Sequence, residues 1–161
     1  MKNVVVPDRL LAEMRAHARG SYPNECCGFL IAAASSPGDE SPREIRSIER
    51  ATNDFDGERR RRFLIRPEEL RTLERRADER GESVVGFYHS HPDHPARPSH
   101  YDQEHAWPWY TYLVLSVTNV DSPSVGAFEL DPDSSEFHEV ELRTEPEDRN
   151  PLPVTEGLPR A

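Results

Sequence analysis

His89, Ser90 and His91 set two imidazoles two residues apart, and Asp102 follows after a proline-punctuated stretch, Pro92-Asp93-His94-Pro95-Ala96-Arg97-Pro98. In a strand, side chains two apart project from the same face, so an extended segment here presents two ring nitrogens side by side. Ser99-His100-Tyr101-Asp102 reads as a helix start that returns a carboxylate to the same place. Two histidines and one carboxylate suit Zn2+, and three protein ligands leave a fourth tetrahedral position for water. Such a centre lowers the pKa of a water toward ~7 and polarises a scissile carbonyl, which is the chemistry of amide hydrolysis. One ion per chain is expected. Plainer uses of the same residues stay open. Ser99 and Asp102 have the spacing of a capping box, in which the acid satisfies a backbone donor, and an exposed His-Ser-His turn can be merely solvated.

Five of the seven histidines fall between positions 89 and 105. His94, in the loop, is either solvated or a substrate contact, while His100 and His105 read as helix-surface residues. Trp107 and Trp109 either line a substrate groove or anchor the core. Cys26 and Cys27 are the only cysteines; their adjacency disfavours a mutual disulfide, which leaves buried small residues or thiols near a reactive site.

The elements that must position these groups follow from periodicity. Residues 4–6 read as a strand, and a helix opens at Pro7 and Asp8, with Leu10, Leu11, Met14 and Ala18 at helical spacing and Gly20 as its end. Residues 22–25 form a turn and 27–32 a buried strand; residues 43–52 read as a partly exposed strand and 63–65 as another. Between these two lies a turn carrying Arg59, Arg60, Arg61 and Arg62. Residues 67–80 read as a helix, with proline at its start and Gly81 as its stop. A strand over 83–91 ends in the histidines, 109–117 is apolar on both faces and therefore central, and 125–130 with 137–142 form a hairpin. This alternation predicts an α/β sandwich around a mixed sheet flanked by helices.

At 161 residues the chain is expected to be one domain over 1–143, with an acidic, proline-rich, flexible tail over 144–161. A net charge of -10 argues against nucleic acid as the main ligand. No stretch approaches the ~20 apolar residues that cross a bilayer, and the first seven residues lack the apolar run of a signal peptide, so a soluble, cytoplasmic protein is expected. Zinc nucleobase deaminases need a Cys-x-x-Cys that this sequence lacks. His-x-His amidohydrolases need a barrel of roughly 250 residues.

The pattern His89-x-His91-Pro92, a loop, then Ser99-x-x-Asp102, with Glu25 upstream in Pro23-Asn24-Glu25-Cys26-Cys27-Gly28, resembles the JAMM, or MPN+, metalloprotease family. The resemblance covers roughly residues 3–142, and Arg62-Phe63-Leu64-Ile65 with Ala106-Trp107-Pro108 are similar to the small bacterial stand-alone members. It implies a cytidine-deaminase-like sandwich, zinc on His89, His91 and Asp102, Ser99 stabilising the tetrahedral intermediate, and Glu25 as general acid and base. Glu25 rests on the resemblance alone, since nothing local distinguishes it from Glu82 or Glu104. The implied reaction is hydrolysis of the amide joining a ubiquitin-like sulfur carrier to cysteine, the carrier being the partner. A deubiquitinase-like protease acting on conjugates or carrier precursors is the alternative, and a non-catalytic scaffold a remote one. A homodimer is compatible with this reading. The four arginines at 59–62 either bind an acidic carrier surface or the cysteine carboxylate, or are solvated.

Overall fold

The computed structural model describes residues 3–35, 39–121 and 124–146. Strand β1 (Val4–Pro7) leads directly into helix α1 (Asp8–Ser21), whose first position follows a proline with φ near its fixed value, so the helix has a firm start. Leu10, Leu11, Met14 and Ala18 form its buried stripe, as their spacing requires. Strand β2 (Cys27–Ala33) is apolar throughout because both faces are covered. Leu30 and Ala32 pack with Met14 and Ala18 on the α1 side. Cys27, Phe29 and Ile31 pack with Leu73 on the other.

Residues 43–52 do not form one strand. Ile45 and Ile48 are an odd number of positions apart and would face opposite sides of a continuous strand. The chain instead divides into β3 (Arg43–Glu44), parallel to β1, and β4 (Ser47–Ala51), antiparallel to β2, with Ile45 buried between them. The strand expected over 63–65 is absent as well. Phe63 and Ile65 do turn inward, against the second core cluster, but the Leu64 amide is bonded to the Asn53 side chain rather than to a neighbouring strand.

Helix α2 (Pro67–Asp78) has proline in its first turn with Glu68 and Glu69, and Arg75 and Arg76 in its last, an arrangement that complements the helix dipole. It ends two residues short of the expected Arg80, and Gly81 then takes φ +72°. Only Leu73 and Ala77 of this helix are buried, so Leu73→Ala is expected to remove about 2–5 kcal/mol of stability.

Strands β5 (Glu82–Pro92) and β6 (Thr111–Val117) run parallel at the centre of a six-stranded sheet. Its order is completed by β7 (Val125–Leu130) and β8 (Phe137–Val140), giving β4-β2-β5-β6-β7-β8, with every other pairing antiparallel. The expected hairpin is β7 and β8, but it does not run to residue 142. The chain leaves the large sheet at Glu141, and β9 (Leu142–Glu145) pairs with β1 in a small sheet of order β3-β1-β9. Leu142 thereby packs on the α1-side core. The result is the expected class, a mixed sheet with a helix on each face. Residues 144 and 145 of the expected tail belong to β9, and 147–161 lie outside the described residues. No helix among the described residues is long and apolar enough to cross a membrane.

A parallel pair needs a long crossover, and residues 93–110 supply it between β5 and β6. It contains α3 (His100–Glu104), which brings its first turn back to the carboxyl end of β5.

Candidate metal centre

The last residues of β5 alternate between the two cores. Tyr88 and Ser90 are fully buried, Tyr88 within the α1-side core, whereas His89 stacks on Phe63 on the α2 side at 4.6 Å between ring centroids. His91 follows His89 on the same face, and their Nε2 atoms lie 3.2 Å apart. Asp102 Oδ2 is 3.1 Å from the first and 3.0 Å from the second. Bonds of 2.0–2.1 Å to a tetrahedral ion imply donor-to-donor edges of about 3.3 Å. The three atoms therefore surround a point that a small divalent cation fits.

The capping box is also present. Ser99 N–H donates to Asp102 Oδ2 at 2.8 Å and Asp102 N–H donates to Ser99 Oγ at 3.1 Å. Cap and ligand are thus not alternatives, because one carboxylate oxygen serves both. Burial alone raises the Asp102 pKa, but the neighbouring His89, the contacts with both imidazoles and the Ser99 amide outweigh it and hold the carboxyl well below the usual range.

The orientation of His91 is fixed from behind. Its Nδ1–H donates to the Pro95 carbonyl at 3.0 Å, which leaves the Nε2 lone pair facing the other donors. The loop that carries Pro95 sits hard against β7. A Cβ on Gly126 would lie 2.6 Å from the Ala96 carbonyl oxygen, so only glycine permits this approach. Asp93, at φ +59°, turns the chain out of β5, and Tyr22 O–H donates to its Oδ2 at 2.7 Å, joining the ligand loop to the turn before Glu25.

Glu25 is only 4% exposed, and its Oε1 has no hydrogen-bond partner. Burial first, and then the charge of Asp102, push its carboxyl up to about 9. Its backbone is held by the loop before α2: Glu25 N–H donates to Arg59 O at 2.7 Å, and Asn53 Nδ2 donates to Glu25 O at 3.1 Å.

A cleft of about 510 Å³ opens from His89 and Asp102, walled mainly by Phe63, Leu64, Tyr101, Trp107, Tyr112 and Phe137. Trp107 is 67% exposed at its rim, so it lines a groove and does not anchor the core. Trp109 lies outside this cleft, at φ +84°, with the Arg43 guanidinium 4.4 Å above its ring. His105, expected on the helix surface, stacks on Tyr101 at 4.1 Å and also borders the cleft. His94 is exposed, and His100 pairs with Glu104 at 3.1 Å on the surface. Cys26 and Cys27 are both buried, and burial pushes both thiols upward, Cys26 to about 11, so they behave as small core residues.

A family profile described as prokaryotic homologs of the JAB domain matches residues 7–130. The chain belongs to this family. Its JAB region runs from the start of α1 to the end of β7 and holds every residue of the candidate centre. A curated relative, the desampylase of Haloferax volcanii, is 36% identical over 110 residues, which cover 68% of this chain and 74% of that protein. Two solved structures share the JAB-like architecture. A protein of Desulfitobacterium hafniense superposes with a TM-score of 0.74 at 29% identity, over 89% of this chain and 94% of its own. One from Salinibacter ruber gives 0.64 at 38% identity, over 94% and 95%. The chain is accordingly a small JAMM-type hydrolase, and His89, His91 and Asp102 are a donor set that fits a metal ion.

Several residues around the centre carried no mark in the sequence. Asn53 and Gly126 act on backbone groups about 30 positions away along the chain, at Glu25 and Ala96, and Pro95 acts through its carbonyl, which its residue type does not reveal. The apolar run Phe63-Leu64-Ile65 is visible in the sequence, but it marks a cleft wall and not a strand.

Proposed function

We propose that the chain is a zinc-dependent hydrolase that cuts the amide bond at the C-terminus of a ubiquitin-like protein. The observation that carries this reading is the convergence of two imidazole nitrogens and one carboxylate oxygen within 3.2 Å, together with a buried carboxyl at Glu25 that has an unpartnered oxygen. His89, His91 and Asp102 would hold the zinc, which would supply a Lewis acid for the scissile carbonyl and lower the pKa of the attacking water toward ~7. Glu25 takes the proton of that water and returns it to the leaving amine. Burial favours the form that carries the proton to the leaving amine, since a carboxyl in an apolar setting holds a proton more readily than one in water, and the positive charge of a bound ion would favour the ionised form that the first step needs. Ser99 Oγ already accepts from the Asp102 amide, so its own proton is available to the carbonyl oxygen as charge builds there. The apolar cleft beside His89 excludes water and receives the extended chain of the substrate.

Two substrates share this chemistry. The first is a sulfur carrier with a Gly-Gly tail joined to cysteine, which the enzyme hydrolyses to release the amino acid in the cytoplasm. The second is a ubiquitin-like protein conjugated to another protein. The relative named desampylase, a name that denotes removal of such a conjugate, favours it. Offering both substrates to the zinc-loaded chain and weighing the products by mass spectrometry separates them. Loss of one cysteine residue from the carrier adduct supports the first, and release of an intact carrier from its conjugate supports the second. If neither is cut by a chain that holds zinc, the proposal fails.

A further inference from the structure

Glu25 precedes β2, and its neighbour Cys26 is tied to β5, donating its N–H to Ser90 Oγ at 2.8 Å and accepting from Ser90 N–H at 3.1 Å. The bonds to Glu25's own backbone come instead from the loop over residues 53–64, and one side chain organises that loop. Asn53 Nδ2 donates to the carbonyls of Glu25 and Arg62, each at 3.1 Å, and Asn53 Oδ1 accepts from the amides of Phe55 and Leu64, each at 3.1 Å. The amide group thus uses both donor hydrogens and both lone pairs. It joins the two ends of the loop to each other and to Glu25, while the Arg59 carbonyl takes the Glu25 amide at 2.7 Å.

The same loop forms part of the cleft. Phe63 stacks on His89, Leu64 stands in the wall, and the Arg62 guanidinium lies 4.5 Å over the ring of Tyr101. Any shift of this wall passes through Asn53 to the backbone of Glu25.

We propose that Asn53 is the positioning residue of the centre: it sets where the Glu25 carboxyl stands relative to His89, His91 and Asp102, and ties that place to the wall of the substrate cleft. This rests on the reading of Glu25 as the proton carrier. Asparagine is required because the site asks for two donors and two acceptors in one planar group. Aspartate has the same shape and keeps the bonds from Phe55 and Leu64. It loses both donors and turns oxygen toward the carbonyls of Glu25 and Arg62.

Asn53→Asp therefore isolates the donor half, and Asn53→Ala, which leaves both carbonyls to water, repeats the test if the added charge prevents folding. In the metal-free chain, hydrogen exchange of the Glu25 amide is expected to quicken about 10-fold or more, while the amides of β5 hold their protection. In the zinc-loaded chain kcat is expected to fall about 100-fold, the scale of a misplacement near 1 Å. Zinc affinity should stay within about twofold because the ligands are untouched, and KM should change far less than kcat because Asn53→Asp keeps the bonds from Phe55 and Leu64 that hold the cleft wall. In single turnovers, Asn53→Asp combined with Glu25→Gln should be no slower than Glu25→Gln alone, since both changes act on one proton transfer. Unchanged exchange at Glu25, a loss confined to KM or to zinc affinity, or effects that multiply in the double variant would overturn the proposal. Should Glu25→Gln itself keep the wild-type rate, the proton-carrier reading fails, and the exchange experiment still decides whether Asn53 holds Glu25.

Discussion

The two halves of the centre are held by different kinds of structure. His89 and His91 stand on a central strand, His89 paired with both β2 and β6 and His91 with β6, and Asp102 is locked by a capping box in the first turn of α3. Glu25 lies in the segment between α1 and β2, and the backbone bonds described for it come from a loop that carries no strand or helix of its own between β4 and α2. Regular structure holds the proposed ligands, whereas the loop leaves Glu25, the proposed proton carrier, where a change in the cleft can reach it. Metal binding and proton transfer should therefore fail separately when each half is disturbed.

The largest effect is expected from Asp102→Asn. Its amide oxygen still accepts from Ser99 N–H, so the start of α3 survives, but the anionic ligand is gone. Zinc binding should be lost and hydrolysis should fall to the rate without enzyme, with the circular dichroism spectrum unchanged. If tight zinc binding persists, Asp102 is a helix cap and nothing more.

Glu25→Gln comes next, with hydrolysis reduced about 1,000-fold and zinc retained at one equivalent. The same variant also bears on stability. With its pKa raised from 4.5 to about 9, Glu25 keeps its proton in the folded metal-free chain and releases it on unfolding. The unfolded state then binds fewer protons between those pH values, so stability should fall as pH rises through that window, with a slope approaching about 1.4 kcal/mol per pH unit. Glu25→Gln should flatten that slope in a series of chemical denaturation curves. An unchanged slope would mean that the carboxyl ionises in the fold without penalty.

Gly126→Ala tests the support behind the ligands. The new methyl would press on the Ala96 carbonyl and displace the Pro95 oxygen from His91 Nδ1, weakening zinc affinity about 10-fold while KM holds. The smallest effect is expected from Arg60→Gln with Arg61→Gln on the exposed turn. A rise in KM of about 3-fold with kcat unchanged would assign the turn to an acidic substrate surface, and identical kinetics would leave these arginines solvated.

The same division explains what could be read from the sequence. The convergence of His89, His91 and Asp102 was legible because two short-range rules describe it, the period of two in a strand and the three-residue reach of a capping box. Strand β2 and helix α1 were legible because uninterrupted burial and helical spacing leave their mark in the residues themselves. Glu25 is singled out only by the family resemblance, for its surroundings in the fold include Asn53 and Arg59, 28 and 34 positions away, and Asp102 beyond them. The departure of β9 from the hairpin was hidden for a similar reason. Nothing in residues 137–142 tells that Leu142 pairs with Val4 at the other end of the chain.

The most direct test of the account is to titrate zinc into the metal-free chain while following heat of binding and hydrolysis of the carrier substrate together, with His91→Ala in parallel. One equivalent should bind, activity should rise in proportion and level off at that point, and His91→Ala should show neither. Hydrolysis that proceeds without zinc, or zinc that binds His91→Ala as tightly as the wild type, would contradict it.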